Sequence, residues 1–181
     1  MKTLVLVFHP NISASRVNRR WVEEMEKQDN VTVHRVYEAY PDEQIDVAAE
    51  QSLLEQHDRI VLQFPFYWYS TPSLLKKWED QVFAYGWAHG SKGDKLHGKE
   101  LLLAVTVGAG EEYYSSNGTF KYTVQELLRP LQATSNLIGT RYLTPYTVYG
   151  ASRMADEQLE PSAKEYVAYV LKPEIAPLAD R

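Results

Sequence analysis

Three short segments of this chain carry residue types that could hold and orient a ligand. His9 to Asn18 (HPNISASRVN) follows an apolar run and brings Ser13, Ser15 and Asn18 to the start of a helical pattern. A helix start has free N–H groups and a partial positive charge, which together attract a phosphate. Serine and asparagine are also ordinary helix caps, so by itself this segment fits a helix start with no ligand equally well. No GxGxxG fingerprint and no P-loop lysine is present, which argues against those two nucleotide sites. The second segment, Pro65 to Thr71, sets Phe66, Tyr67, Trp68 and Tyr69 in a row. One or two such rings would plug a gap between loop and helix. Four suggest a platform for a flat, conjugated ring. The third segment, Thr106 to Tyr114, contains Gly108 and Gly110, where the backbone can approach a ligand and offer N–H groups to ring oxygens and nitrogens. Alone it is an ordinary tight turn. A phosphate-type loop, an aromatic platform and a glycine turn together describe a site for a phosphorylated, planar cofactor, and FMN has that shape.

These segments matter jointly only if the fold brings them to one place. Leu4 to Phe8 reads as a buried parallel strand, Val31 to Tyr37 is the next strand candidate, and Arg59 to Phe64 is strand-like. Lys99 to Val107 is the longest strand candidate, and Arg141 to Tyr149 is a strand interrupted by Pro145. Helices are expected over Ser15 to Lys27, over Val47 to His57 with Asp46 as N-cap, and over Pro72 to Val82 with Pro72 in the first turn. Tyr122 to Thr134 reads as helical with a kink or restart at Pro130, and Asp156 to Leu171 as a closing helix. Alternation of strand and helix without hairpins predicts an α/β fold: a five-stranded parallel sheet with helices on both faces. In such a sheet, ligands lie outside the carboxyl ends of the strands, and all three segments follow strands. The chain is expected to form a single domain over residues 1–181. Ala84 to Gly98 is a long irregular stretch carrying Tyr85, Trp87 and His89, expected to be functional or part of a contact surface.

Composition narrows the chemistry. With no cysteine, disulfides and thiolate catalysis or thiolate metal sites are excluded, and no metal site is expected. A net charge of −5 without a basic stripe argues against nucleic acid. The short apolar run after Lys2 and Thr3 does not make a signal peptide, so a cytoplasmic protein is expected.

The sequence also resembles a known family. His9-Pro10 with Ser15-Arg16-Val17-Asn18, the stretch Trp68 to Asp80 continuing to Ala88, and Leu96 to Lys99 followed by Val105 to Gly110 are similar to the NAD(P)H dehydrogenase (quinone) family. Within it the nearest resemblance is to small bacterial flavoproteins that include the ancillary proteins of glutathione-regulated potassium-efflux systems. The likeness runs from Leu4 to about Leu171. It implies a flavodoxin-like fold of strand order 2-1-3-4-5, a homodimer, and FMN, with FAD disfavoured by the short chain. By position, His9, Ser15, Arg16, Val17 and Asn18 should surround the flavin phosphate. Phe66, Tyr67, Trp68 and Tyr69 should border the ring, and Thr106, Val107, Gly108 and Ala109 its polar edge. Ala109 stands where the family has a glycine. Tyr114, with the backbone of Gly108, should handle charge on the ring; the histidine that joins this tyrosine in vertebrate members is Phe120 here. Trp87, Tyr113 and Phe120 should wall the substrate pocket, with the long loop near a dimer interface. The implied activity is two-electron transfer from NAD(P)H to a quinone by a ping-pong cycle. Three other roles stand beside it: a regulatory subunit of a membrane potassium transporter, a one-electron carrier, and a preference for azo or nitro acceptors within the same chemistry.

Overall fold

A computed structural model describes residues 1–179. Five strands lie in the order β2-β1-β3-β4-β5, all parallel: β1 Thr3–Val7, β2 Val31–Arg35, β3 Arg59–Pro65, β4 Glu100–Thr106 and β5 Arg141–Tyr142. A sixth strand, β6 Tyr146–Val148, also pairs with β4. It is the second half of the single last strand expected from sequence. Pro145 has no N–H for the ladder, so the strand breaks there. Leu101 pairs with Tyr142 and Ala104 with Tyr146, so three steps on β4 face four on the edge strand. This bulge re-aims the chain after β6 toward the loop that follows β4.

Helices α1 Val17–Met25 and α7 Asp156–Val170 cover one face, where Trp21, Val22, Met25, Ala163, Tyr166 and Val170 pack on Val5, Val7 and Val61. The other face is covered by α3 Val47–Glu55, α4 Ser73–Val82 and α6 Arg129–Leu137, with short helices α2 Val36–Ala39 and α5 Val124–Leu127. Burial on both faces is why β1 and β3 read as apolar runs. Asp46 caps α3 as expected, accepting the N–H of Ala49. The 122–134 region restarts at Leu128, between α5 and α6, with Pro130 in the first turn of α6. Pro72 sits just before α4, at its N-cap, with extended backbone.

Each helix returns the chain to the amino edge of the sheet before the next strand begins. This places the loops after β1, β3, β4 and β6 together at the carboxyl edge. It sends residues 83–99, which follow α4 and precede β4, to the opposite edge.

Candidate functional site

A cavity of about 320 Å³ opens at the carboxyl edge, walled by His9, Ala14, Ser15, Arg16, Val17, Asn18, Pro65, Phe66, Thr106, Gly108, Ala151 and Ser152. A second cavity of about 400 Å³ shares Gly108 and Ser152 with it and continues along Ala109, Gly110, Glu112, Tyr113 and Arg153. The sequence had singled out His9, Ser15 to Asn18, Phe66, Thr106 and Gly108. It missed Ala151, Ser152 and Arg153.

The β1 loop presents donors. Ser15 Oγ accepts the N–H of Asn18 at 3.2 Å and so caps α1. The N–H groups of Arg16 and Val17 have no acceptor among the described residues, so the first turn of α1 faces the cavity with uncommitted donors. His9 Nδ1 accepts the N–H of Asn11 at 3.0 Å, which leaves its ring proton on Nε2. Burial holds the His9 pKa below its usual value, favouring this neutral donor form. Arg16 is tied across the cavity mouth: its guanidinium donates to the Met154 carbonyl and pairs with Asp156 at the start of α7.

Asn18 differs from its expected role. Its side chain turns inward rather than toward a phosphate, with Nδ2 donating to Thr106 Oγ1 at 2.9 Å and Oδ1 accepting from Gln63 at 3.1 Å. Thr106 accepts there, so its own hydroxyl proton remains to be donated.

The loop after β4 is laced to the loop after β6. Val107 N–H donates to Val148, Ala151 N–H to Val107, Gly150 N–H to Ala109 and Ser152 Oγ to the Gly108 carbonyl. Gly150, at φ +66, makes the left-handed turn that lets this lacing form. It also commits both backbone groups of Val107, which is fully buried, so Val107 is support and not a ligand contact. The N–H groups of Gly108 and Ala109 have no acceptor among the described residues. No Cβ at Gly108 fills the space there.

The four-ring platform is divided. Phe66 is half-buried in the cavity wall, its N–H on the Thr106 carbonyl. Tyr67, Trp68 and Tyr69 do not line the cavity. Tyr67 and Ser70 exchange backbone hydrogen bonds around a tight turn, with Trp68 at φ +49 and Tyr69 at φ +60. Left-handed backbone at two consecutive large residues is strained, and the turn holds Trp68 91% exposed. Tyr114 is almost buried behind Phe66, among Phe66, Phe120 and Tyr149. Burial pushes its pKa up, so the hydroxyl stays protonated. Phe120 also touches Tyr69 and Tyr113, so it joins the platform to the β4 loop by ring packing. Tyr113 lines the second cavity.

Trp87 stands apart from the cavity of its own chain. Its indole N–H donates to Glu55 at the end of α3, and the Lys95 N–H donates to its carbonyl. It lies at the amino edge, across the sheet from the cavity of its own chain, because α4 carries the chain back before the loop begins. Among the described residues no group of histidine, cysteine or carboxylate side chains is placed to hold a metal ion. No helix among them is long and apolar enough to cross a membrane.

Comparison with known proteins now places the chain. The family described as Flavodoxin-like fold matches residues 1–170. This chain belongs to that family. Among curated relatives it is 56% identical to general stress protein 14 of Bacillus subtilis over 96% of this chain and 99% of that one. It is 50% identical to the uncharacterised NAD(P)H oxidoreductase YrkL of the same organism, over 94% and 98%. Among solved structures, a general stress protein 14 from Treponema denticola in complex with FMN superposes with a TM-score of 0.90 at 44% identity, over 94% of this chain and 98% of that one. A Streptomycin violaceusniger chain described as a thermophilic tryptophan halogenase gives 0.92 at 51%, over 94% and 99%.

Proposed function

We propose that this chain is an FMN-dependent oxidoreductase that takes two electrons from NAD(P)H and delivers them to a quinone-type acceptor, in turn, at one shared site. The observation that carries this reading is a pair of adjoining cavities, sharing Gly108 and Ser152, with uncommitted donors at both ends: His9, Ser15 and the first turn of α1 in the first, and the Gly108 and Ala109 N–H groups where the second begins. That polarity suits a phosphate at one end and a heterocycle rich in acceptor atoms at the other. The T. denticola relative is an FMN complex, and YrkL is named an NAD(P)H oxidoreductase.

When bound, FMN supplies hydride acceptance and two-electron chemistry. The residues of this chain bind, orient and shield. His9 Nε2–H, the Ser15 hydroxyl and the Arg16 and Val17 N–H groups would hold the phosphate. The Thr106 hydroxyl, with Asn18 donating into it, would donate into the cavity. The Gly108 and Ala109 N–H groups would face the ring edge where charge accumulates. Phe66, backed by Tyr114, would wall one side of the ring. Tyr114 would act through packing and its neutral hydroxyl, with Phe120 as an apolar neighbour in place of a histidine.

Trp87 and His89 reach such a cavity only from a second copy, and Tyr85 in the same loop is 76% exposed. The reading is therefore a cytoplasmic homodimer in which this loop of one copy approaches the cavity of the other. Trp87→Ala is expected to change KM for the acceptor while leaving FMN bound, and an unchanged KM would remove Trp87 from the site.

The test is direct. The purified protein is expected to be yellow and to release FMN on heating; a colourless protein that ignores added FMN overturns the proposal. Oxidation of NADH and NADPH with a benzoquinone should give parallel initial-rate plots, whereas intersecting lines exclude the ping-pong order. Chlorinated tryptophan formed from chloride and tryptophan, in place of hydroquinone, would favour the activity named for the violaceusniger chain.

A further inference from the structure

Four side chains from four elements form one buried, hydrogen-bonded line across the sheet. Tyr166 of α7 donates its hydroxyl to Gln63 Oε1 at 2.9 Å. Gln63 of β3 donates from Nε2 to Asn18 Oδ1 at 3.1 Å and to the Asn18 carbonyl at 3.2 Å. Asn18 of α1 donates to Thr106 Oγ1 of β4 at 2.9 Å. Relative exposures are 0% for Tyr166 and Gln63, 3% for Asn18 and 4% for Thr106. Every donor points the same way, from the far helix toward the cavity.

A parallel strand buried on both faces normally carries apolar side chains. Gln63 interrupts such a run in β3, and a buried amide is costly unless fully paired. Its three side-chain hydrogen bonds are therefore informative. They reach the main chain of α1 as well as a side chain, so they set where the first turn of α1 stands above the sheet. That turn carries the Arg16 and Val17 N–H groups. The Tyr166 ring is held independently, stacked on Trp21 with centroids 4.4 Å apart. Deep burial pushes its pKa far up, so it stays a donor.

We propose that Tyr166 and Gln63, which do not touch the cavity, are positioning residues for the cofactor phosphate, acting through Asn18 on the first turn of α1. The inference rests on the FMN reading above. It predicts an effect on the phosphate end alone, because the remaining walls are set by the loops after β3, β4 and β6.

Tyr166→Phe deletes one hydroxyl and keeps the stacked ring. The measurement is the dissociation constant of the flavin-free protein for FMN and for riboflavin, the same ring system without the phosphate, read by flavin fluorescence quenching. FMN binding should weaken about tenfold, the equivalent of one net hydrogen bond, while riboflavin binding stays within about twofold. Gln63→Met, similar in length but without donors, should show the same FMN-selective loss; if it does not fold, the two constants of Tyr166→Phe decide. Equal weakening of both flavins, or unchanged FMN binding, overturns the proposal. A wild-type protein that binds neither flavin overturns the FMN reading itself and this inference with it.

Discussion

The two edges of the sheet use buried polar groups in opposite ways. At the amino edge the chain consumes them. Arg59, fully buried, pairs with Glu100 and donates to the Val170 and Lys172 carbonyls at the end of α7, although its Nη2 has no partner. Lys99 closes the end of α3 on the Glu55 and His57 carbonyls, and Trp87 binds Glu55. Arg59 and Lys99 thereby bring positive charge to helix C-termini, where partial negative charge collects. At the carboxyl edge Asp46 and Ser15 each cap one N–H of α3 and α1, yet the N–H groups of Arg16, Val17, Gly108 and Ala109 have no acceptor among the described residues. The difference follows from parallel topology: one edge gathers helix ends, the other helix starts. It explains why the cavities with uncommitted donors lie at one edge and the 84–98 loop at the other.

Five substitutions would break or sharpen this contrast. Arg59→Met should have the largest effect, destabilising by about 3–5 kcal/mol because Glu100 and two helix-end carbonyls lose a buried cation. The melting temperature should fall by about 10 °C while the folded protein keeps its FMN affinity; a parallel loss of affinity would deny that the edges are separate. Gly108→Val should do the reverse. A Cβ there meets nothing closer than Ser152 Oγ at 3.6 Å, so the fold tolerates it. The added methyl groups enter the cavity, and FMN binding should weaken about a hundredfold with little change in melting temperature. Ser15→Ala removes the cap of α1, at about 1 kcal/mol, and should weaken FMN several-fold while sparing riboflavin. An equal effect on both flavins would place the phosphate elsewhere.

The smallest effect is a pH dependence. The folded-state pKa of His9 is depressed, so its contribution to stability is present above about 6.5, the unfolded value, and is lost as the pH falls toward the folded value. Glu79, desolvated on α4, is raised to about 7, and its contribution runs the other way, lost as pH rises from about 4.5 to 7. Melting curves across pH 4–8 should therefore show wild type losing ground to His9→Asn below pH 6.5. Against Glu79→Gln it should lose ground toward pH 7. A flat difference for either variant would show that the side chain is solvated.

Much of the fold was legible along the chain because its signals are local. The apolar runs of β1, β3 and β4, the Asp46 cap and the break before Pro130 follow from backbone sterics and burial within a few residues. The Ser15 cap and the glycines at 108 and 110 were legible for the same reason, and they marked the loops that line the cavities. Other facts depended on contacts between residues far apart in sequence. That Asn18 turns from the ligand to Gln63 and Thr106 required β3 and β4 to lie beside α1. That Ser152 and Ala151 complete the cavity required the bulge at Pro145 to bring the β6 loop onto the β4 loop. Trp87 could have been assigned to the amino edge from strand–helix alternation alone, since a loop before a parallel strand lies at that strand's start. The sequence by itself determined the strand–helix order and the donor-rich character of the β1 loop, because propensity and capping act over single turns. Only the tertiary structure decided which donors remain uncommitted, because that depends on which distant acceptors the packing brings within reach.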